Sequence, residues 1–367
     1  MKILICGAGY VGLSNALLMS TKHQVFLFDI NEKKRESIRK LDFTCLNELN
    51  LGRFPIIYNN IQLVDTISRY KFDFVIIALP TDLGDDGKLS IDVILDCLKE
   101  LNKETILIVK STLPLGASKL IIDKFGDFIY IPEFQREGTA VYDSFYPSRI
   151  VISGDLQQVN EVKNLYSECI LNQPEIILTN HIEAECIKLF SNTYLAMRVA
   201  FFNELDTYMM QNQINVETVI HGMGLDERIG LHYNNPSFGF GGYCLPKDTE
   251  EVKNSIDSIL IENINKSNIN RTFEIAQFLS GKGYRKIGIY KLASKSRVSS
   301  NRNSATILLI EELKKTNVEL FVYDQNEVNI AGCTSVNDLE ELFRLSDIVI
   351  ANRVEKELEK YKDKVFS

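Results

Sequence analysis

The chain has 367 residues, of which 45% are hydrophobic and 25% charged, and its formal net charge is −8. This length exceeds the size at which a single hydrophobic core keeps growing, so we expect more than one domain. The composition is ordinary for a globular protein. The net negative charge argues against a general binder of nucleic acids or of membrane surfaces.

The cysteines and histidines are scattered along the chain. Seven cysteines form no CxxC pair, and four histidines show no spacing typical of metal ligands. Such a set fits a reducing compartment better than a disulfide framework, and we expect no metal site. The first apolar run, Ile3–Cys6, is too short for a signal peptide, and no apolar stretch of about 18 residues could span a membrane. These features predict a cytoplasmic protein.

The first part of the chain predicts strands that alternate with helices. The strand Ile3–Cys6 leads into a glycine turn, a helix to about Ser20 and a second strand over 25–29. Further strand-like runs lie at Phe74–Leu79, Ile106–Lys110, Phe128–Ile131 and Ile150–Ser153. Short apolar runs separated by helices predict a parallel sheet covered on both faces, in a first domain over residues 1–180.

The glycine turn predicts a dinucleotide site. Gly7-x-Gly9-x-x-Gly12 follows a strand and opens a helix, and the acidic residue Asp29 ends the next strand. Gly7 makes the tight turn, Gly9 lets a pyrophosphate approach the helix N-terminus, and Gly12 lets the helix pack on the sheet. Asp29 accepts hydrogen bonds from ribose hydroxyls and repels a 2′-phosphate, which favours NAD over NADP. The alternative is a purely structural strand–turn–helix.

The centre of the chain predicts a long helix. Residues 183–213 contain neither Gly nor Pro and carry apolar groups at helical spacing. A helix of this length spans about 45 Å, enough to connect two domains and to offer a face to a partner. We place a central helical domain at 181–281. Strands and helices then alternate again, at Lys286–Tyr290, Ala305–Lys315, Val318–Tyr323 and Asp347–Ala351, which predicts a smaller α/β domain over 282–367.

One segment carries the strongest chemical signal. Phe238-Gly-Phe-Gly-Gly-Tyr-Cys-Leu-Pro-Lys-Asp248 places Cys244 behind three glycines and ahead of Lys247 and Asp248. Glycines let a backbone approach a ligand closely, and a nearby lysine or helix N-terminus lowers the pKa of a cysteine thiol from about 8.5. The segment is typical of a nucleophile on an amide-lined loop. Taken alone, an incidental cysteine in a glycine-rich turn explains it equally well.

Five other residues are candidates for a cleft. Lys188 and Asn192 lie four apart on the long helix and therefore on one face, although a lysine on a helix is most often a solvated surface charge. Thr112, Glu133 and Glu137 follow predicted strands. Ligands of doubly wound sheets bind outside the carboxyl ends of the strands, so these three side chains are expected at the cofactor crevice. A turn or cap role is the alternative for each.

The chain resembles the UDP-glucose 6-dehydrogenases, within the UDP-glucose/GDP-mannose dehydrogenase family. The matching segments run over nearly the whole length. They are Gly7-Ala-Gly-Tyr-Val-Gly12, Val109-Lys-Ser-Thr112, Pro132-Glu-Phe134 with Arg136-Glu137, Ser191-Asn-Thr-Tyr-Leu-Ala-Met-Arg198, Phe202-Asn-Glu-Leu-Asp206 and Phe238–Asp248. The stretch from Asn192 to Asp206 looks more like the UDP-glucose enzymes than the GDP-mannose branch.

The resemblance implies a fold and a reaction. The implied fold is α/β, with two Rossmann-like doubly wound parallel-sheet domains joined by a long central helix and a helical dimerisation region. The implied reaction is the NAD-dependent, four-electron oxidation of UDP-glucose to UDP-glucuronate through a cysteine thiohemiacetal and thioester, with release of two NADH. A homodimer is implied as well, with no nucleic-acid or membrane partner.

The resemblance also implies residue roles. The implied catalytic residues are Cys244 as thiol nucleophile, Lys188, Asn192, Asp248, Glu133 and Thr112. The implied cofactor-binding residues are Gly7, Gly9, Tyr10, Val11, Gly12, Asp29, Lys34, Thr81, Thr112, Glu137 and Lys247. The implied substrate-binding residues are Glu133, Phe134, Lys188, Asn192, Arg228 (reaching the partner subunit's sugar), Tyr233, Phe238, Gly239, Gly241 and Lys295.

The sequence departs from the family pattern in three places. Ile131 precedes Pro132 where the family usually has Asn or Ser. Only Lys295 and Arg302 align in a segment where the family pattern is closer to Ser-Asp-Asn-Phe-Arg. The chain also ends where relatives continue with an Arg-Asp-containing tail. The alternatives are therefore another nucleotide sugar such as GDP-mannose, a single-step hydroxyacid dehydrogenase, and a catalytically lapsed NAD-binding regulatory protein.

Overall fold

The computed structural model describes residues 1–48, 50–67, 71–101, 104–292, 304–324 and 330–367. Contacts divide the chain into two compact units, Met1–Ser191 and Asn192–Ser367. The predicted division into three domains, at 1–180, 181–281 and 282–367, stays a prediction.

The first unit is built on a sheet that has eight strands within the described residues. The strands are β1 Lys2–Cys6, β2 Gln24–Phe28, β3 Ile61–Leu63, β4 Phe74–Ile77, β5 Ile106–Val109, β6 Ile129–Tyr130, β7 Arg149–Ser153 and β8 Glu175–Thr179. The helices are α1 Tyr10–Met19, α2 Glu32–Arg39, α3 Asp92–Lys99, α4 Ala117–Phe125, α5 Ala140–Phe145 and α6 Leu156–Ser167. Short 3₁₀ turns lie at Thr44–Leu46, Leu51–Arg53 and Tyr58–Asn60.

The strand order is that of a nucleotide-binding sheet. The order β3-β2-β1-β4-β5-β6-β7-β8 begins with the doubly wound order 3-2-1-4-5-6, and β1 to β6 are parallel. The predicted parallel sheet is confirmed for these six strands. It ends there, because β7 pairs antiparallel with β6, through Tyr130 and Ser153, and β8 is parallel to β7. A buried strand has a continuous apolar sequence whether it pairs parallel or antiparallel with its neighbour, so the sequence pattern could not indicate this reversal.

The core of this unit lies on both faces of the sheet. Successive side chains of a strand point to opposite faces, and all four residues after Lys2 in β1 are fully buried. Ile3 and Ile5 pack in one cluster with residues of α1 and α6, whereas Leu4 and Cys6 pack in another with residues of α3 and α4. A strand buried on both sides has a continuous apolar sequence, which explains the Ile-Leu-Ile-Cys run.

The second unit carries a smaller parallel sheet and most of the remaining helices. Its strands are β9 Lys286–Tyr290, β10 Glu319–Tyr323, β11 Thr334–Ser335, β12 Ile348–Ala351 and β13 Val365–Phe366, in the order β11-β10-β9-β12-β13. The helices are α7 His181–Gln211, which begins in the first unit, then α8 Val216–Gly224, α9 Cys244–Ser255, α10 Ile259–Gly281, α11 Ala305–Lys314 and α12 Leu339–Leu345, with a 3₁₀ segment at Lys356–Lys364. The α/β fold with two such sheets and a long central helix is confirmed. Among the described residues no helix combines the length and the apolar character needed to cross a lipid bilayer.

The two sheets share one hydrogen-bonding arrangement. In the first unit the carboxylate of Asp29, directly after β2, accepts the backbone N–H of Ala8, after β1, at 2.8 Å. In the second unit the carboxylate of Asp324, directly after β10, accepts the N–H of Leu292, after β9, at 2.9 Å. The second unit therefore repeats the local geometry with which a doubly wound sheet positions the acidic residue at its central crevice.

A buried carboxylate fixes the loop between β5 and α4. Glu185, on the first turns of α7, is fully buried and accepts the N–H groups of Gly116 at 2.6 Å and Ser118 at 2.7 Å. The Ser118 hydroxyl donates to the same carboxylate. These donors stand at the N-terminus of α4, where the helix dipole favours negative charge. The loop that contains Thr112 is anchored in this way.

We predict that Glu185→Gln lowers the free energy of unfolding by about 1–3 kcal/mol, because an amide N–H₂ then faces a buried N–H donor. Urea and thermal denaturation measure the change. Glu161→Gln, at an exposed position of α6, is the matched control and should change stability by less than about 0.5 kcal/mol. Equal stability of the two variants would show that the Glu185 carboxylate does not hold this loop.

Candidate active site

The glycine turn after β1 has the geometry that a dinucleotide requires. A Cβ on Gly7, whose φ is +104°, would meet the carbonyl oxygen of Ala78 at 2.3 Å, and a Cβ on Gly12 would meet the Gly7 carbonyl oxygen at 1.8 Å. A Cβ on Gly9 would meet nothing within 4 Å. Packing therefore requires the first and third glycines. The second leaves the start of α1 open to a phosphate, so these residues fit a pyrophosphate at the helix N-terminus.

The end of β2 fits the ribose of such a ligand. The second carboxylate oxygen of Asp29, Oδ1, accepts the backbone N–H of Asn31 at 2.8 Å, so the side chain is fixed at both oxygens. The ammonium of Lys34 lies 3.8 Å from Asp29 Oδ2, and the Arg35 guanidinium donates to the Asp29 carbonyl. Of the other predicted cofactor residues, Tyr10 and Val11 open α1 half-buried, and Thr81 is buried in the loop after β4.

A second group of predicted residues meets at the carboxyl ends of β5 and β6. The Glu133 carboxylate accepts the N–H groups of Phe134 at 2.9 Å and Gln135 at 3.2 Å through Oε1, and Oε2 lies 3.0 Å from the Lys110 ammonium. Lys188 donates to the Glu133 carbonyl oxygen at 2.6 Å and lies 5.6 Å from the Phe134 ring centroid.

The burial of Lys188 decides between its two interpretations. Lys188 is only 7% exposed, so it is not a solvated surface charge. Glu133, Phe134 and Lys188 are brought together, as expected of one pocket. Thr112 and Glu137 are half-buried in the loops after β5 and β6.

In the second unit, Cys244 is the first residue of α9, directly after the N-cap residue Tyr243. The backbone N–H groups and the dipole at a helix start favour a negative charge near this position. The side chain of Cys244 is half-buried. All seven cysteines lie within the described residues, and none of them forms a disulfide.

The carboxylate of Asp248 is held from two sides. It is fully buried, with Lys247 Nζ at 2.8 Å from Oδ1 and Asn192 Nδ2 at 2.5 Å from Oδ2. The predicted pair Asn192 and Asp248 is therefore in direct contact. Lys247, which is expected to bind the cofactor, is buried and uses its ammonium for Asp248.

Asparagine side chains clamp the glycine loop that precedes Cys244. Asn268 on α10 accepts the N–H of Phe240 at 2.7 Å and donates to its carbonyl at 2.9 Å. Asn203 accepts the N–H of Ser237, and Asn352 accepts that of Phe238. A Cβ on Gly239, whose φ is +141°, would meet the amide oxygen of Asn268 at 2.9 Å. Close packing against this clamp therefore requires Gly239.

Sequence reasoning missed most of this clamp. Asn203 lies within one of the matching segments, but nothing in the pattern assigns it a role. Asn268 and Asn352 have only the weak signal of an asparagine in a helix and after a buried strand, where its side chain usually bonds to nearby backbone. Their partners are distant in sequence, and only the folded chain shows them.

The remaining predicted substrate residues differ in their surroundings. The Arg198 guanidinium donates to the carbonyls of Ile229 and His232 and to Asn234, which fixes the turn of Tyr233 at φ +57°. Arg228 is exposed and pairs with Asp226. Phe238 is buried in the core of the second sheet and Gly241 is half-buried, whereas Lys295 lies outside the described residues.

Comparison with known proteins gives a consistent result. The family model of the UDP-glucose/GDP-mannose dehydrogenase NAD binding domain matches residues 1–170, and that of the central domain matches residues 182–270. UDP-glucose 6-dehydrogenases from Campylobacter jejuni and Streptococcus pneumoniae are 39% and 36% identical, each over 100% of this chain and 98% of the relative. A UDP-glucose dehydrogenase structure from Pyrobaculum islandicum has a TM-score of 0.84 at 24% identity, over 96% of this chain and 89% of that chain.

We predict that Asp29→Asn weakens NAD binding about 10-fold, since hydrogen bonds to a charged acceptor contribute about 1.5–3 kcal/mol. The amide keeps an acceptor for the Ala8 N–H, and Lys34 remains beside the site to pair with a 2′-phosphate. NADP should therefore bind more tightly to the variant than to the wild type. Calorimetric titration with each dinucleotide measures both changes.

The control for this prediction is Asp65→Asn, which removes an exposed carboxylate that pairs with Arg35 and Arg39. It should leave the NAD to NADP preference within about threefold of the wild type, because exposed charge pairs contribute little. The same shift in both variants would assign the preference to general charge and not to Asp29.

Proposed function

Because this chain belongs to the UDP-glucose/GDP-mannose dehydrogenase family and is an NAD-dependent oxidoreductase, we propose that it oxidises UDP-glucose to UDP-glucuronate. Identity of 36–39% over the full chain to two proteins named as UDP-glucose 6-dehydrogenases supports this substrate. The observation that carries the mechanism is the position of Cys244 at the start of α9, four residues before the buried carboxylate that Asn192 holds.

The reaction converts an alcohol to a carboxylate. The glycine turn and Asp29 would hold NAD⁺, which would supply the hydride acceptor in each of two rounds. Overall, R–CH₂OH + 2 NAD⁺ + H₂O gives R–COO⁻ + 2 NADH + 3 H⁺. The aldehyde formed in the first round must be retained until the second. A cysteine thiolate can retain it, because it adds to the carbonyl carbon and forms a thiohemiacetal.

We assign the retention of the aldehyde to Cys244. Loss of the second hydride from the thiohemiacetal leaves a thioester on its sulfur. Water then adds to the thioester carbon, the C–S bond breaks, and the thiolate and the carboxylic acid are released. The Lys188 ammonium and the Asn192 amide stabilise the oxyanions of these steps. Loss of one such hydrogen-bond donor typically lowers the rate by about 10²–10³-fold.

Asp248 orients the water in this proposal. Lys247 and Asn192 fix its carboxylate in one orientation, and an oriented carboxylate oxygen is a good acceptor for a water O–H. Glu133, Thr112 and Phe134 form the wall of the sugar pocket. NAD is held by the glycine turn with Tyr10 and Val11, and by Asp29, Lys34, Thr81, Thr112, Glu137 and Lys247. The remaining sugar-nucleotide contacts are those of Arg228, Tyr233, Phe238, Gly239, Gly241 and Lys295.

We further propose that two copies of the chain form a dimer in the cytoplasm. Tyr194, Phe201 and Tyr208 are 53%, 55% and 59% exposed, and their spacing of seven residues places them in one stripe along α7. An exposed aromatic stripe on a long helix supports a helix-to-helix interface. Arg228 then contributes to the sugar site of the partner.

We predict two NADH per UDP-glucose in a reaction of the purified protein with excess NAD⁺, measured by absorbance, together with UDP-glucuronate identified by mass spectrometry. Cys244→Ser should lose about 10³-fold or more in turnover and retain a covalently bound acyl group, seen as an increase in intact mass. The acyl group remains because an alkoxide leaves more slowly than a thiolate.

Cys333→Ser is the matched control for this prediction, since Cys333 is a half-buried cysteine of the same unit outside the proposed site. It should keep wild-type turnover. One NADH per sugar would indicate a single-step dehydrogenase, and turnover of GDP-mannose alone would indicate the other branch of the family. Binding of NAD with no turnover of either sugar would indicate a lapsed enzyme.

We predict that mixing Arg228→Ala with Cys244→Ser restores activity, although each variant alone is nearly inactive. In a two-fold symmetric dimer with Arg228 acting in trans, each mixed dimer has one complete site, so equal mixing should recover about a quarter of the wild-type rate. Unfolding and refolding the mixture together allows subunits to exchange. If Arg228 acts within its own chain, the mixture will stay as inactive as its components.

A further inference from the structure

Beside Glu133, the first unit contains a network of buried polar side chains that the proposed mechanism does not use. Lys110, at the end of β5, is 6% exposed, and its ammonium lies 3.0 Å from Glu133 Oε2. The same ammonium also lies 5.2 Å from the centroid of the Tyr166 ring, on α6, beside its hydroxyl. The Tyr166 hydroxyl lies 3.3 Å from Asn15 Oδ1, and Asn15 Nδ2 lies 2.8 Å from the carbonyl oxygen of Val11.

The direction of each contact in this network follows from its members. A lysine ammonium carries donors only, so Lys110 faces Glu133 Oε2 and the Tyr166 oxygen as a cation and a donor. The Tyr166 hydroxyl donates to the Asn15 side-chain carbonyl, and the Asn15 amide donates to the Val11 carbonyl. The network therefore links the surroundings of the Glu133 carboxylate to the first turn of α1.

The pKa values of both Lys110 and Tyr166 are raised in this network. Burial lowers the pKa of Lys110, but the attraction of Glu133 together with Tyr166 outweighs it, so the pKa is raised and the ammonium stays protonated. Burial raises the pKa of Tyr166, which stays a neutral hydroxyl. Besides Lys110, the backbone N–H groups of Phe134 and Gln135 face the Glu133 carboxylate, and Lys188 faces its backbone carbonyl.

We infer that Lys110 is a positioning residue for the proposed oxidation, which it serves by holding the Glu133 carboxylate in one orientation through their ion pair. This rests on the proposed function of Glu133 in the sugar pocket. Tyr166 and Asn15 extend the support to the first turn of α1, at the predicted pyrophosphate site. Lys110 itself is not assigned a contact with substrate or cofactor.

The physical argument is the cost of a buried charge. An ionised carboxylate that loses its buried counter-ion takes up a proton or rotates toward solvent. Either change would remove the oriented anion from the pocket wall. Supporting residues of this kind typically contribute about 10–100-fold to activity through the groups they orient.

A double-mutant cycle with Glu133 tests the inference. Lys110→Met should lower kcat for UDP-glucose about 10–100-fold with the Kd for NAD within about threefold of the wild type, and Lys110→Arg should recover part of the loss because it keeps the charge. In a Glu133→Gln background, Lys110→Met should have an effect of less than about threefold, since its target is already neutral. Lys99→Met, in an exposed pair with Asp96, should match the wild type.

Three outcomes would overturn the inference. The first is an equal loss of kcat from Lys110→Met in both backgrounds, which would indicate a general structural role. The second is an unchanged kcat of the Lys110→Met variant. The third is a wild-type kcat of the Glu133→Gln variant. If Lys110→Met does not fold, Tyr166→Phe replaces it in the cycle, because it removes only the hydroxyl that orients the ammonium. A wild-type protein without UDP-glucose turnover would instead refute the proposed function, so the two failures are distinct.

Discussion

Pairing of buried charges is the constraint on which the candidate site residues of each unit depend. An isolated ion in a protein interior costs several kcal/mol, yet Glu133, Asp248 and Glu185 are largely or fully buried. Each has its compensation within its own unit: an ammonium for Glu133 and for Asp248, and the N-terminus of α4 for Glu185. These contacts fix each carboxylate in one orientation. An oriented carboxylate is suited to align neighbouring groups.

The fold could be predicted from the sequence where local pattern and packing coincide. The fingerprint after β1 was readable because Gly7 and Gly12 are required by backbone contacts that every such turn makes. The long helix was readable because apolar spacing and the absence of Gly and Pro extend over residues 183–213, close to the observed His181–Gln211. The reversal of β7 could not be predicted, since a strand buried on both faces has the same apolar sequence in either direction.

The candidate site was predictable only in part, and for a different reason. Cys244 stands in a recognisable segment, and Lys188 lies four residues before Asn192 on one face of the predicted helix, so both could be interpreted. The partners that hold the site residues are spread over the chain. Lys110 and Glu133 are 23 positions apart, and Asn268, on α10, accepts a hydrogen bond from Phe240 in the glycine loop. Lysine or asparagine alone carries no sequence signal for such a contact. Which charge neutralises which is a property of the tertiary packing.

The glycine loop shows what that packing achieves. Asn268 satisfies both the N–H and the carbonyl of Phe240, and Asn203 and Asn352 hold the backbone on its N-terminal side. Buried backbone groups without partners would be costly, so the amides stabilise a conformation that a loop of glycines would otherwise lose to entropy. The segment therefore reaches the start of α9 already ordered. In the proposed mechanism, a nucleophile at the start of α9 then needs little rearrangement to meet its substrate, because the loop before it is already ordered in the folded chain.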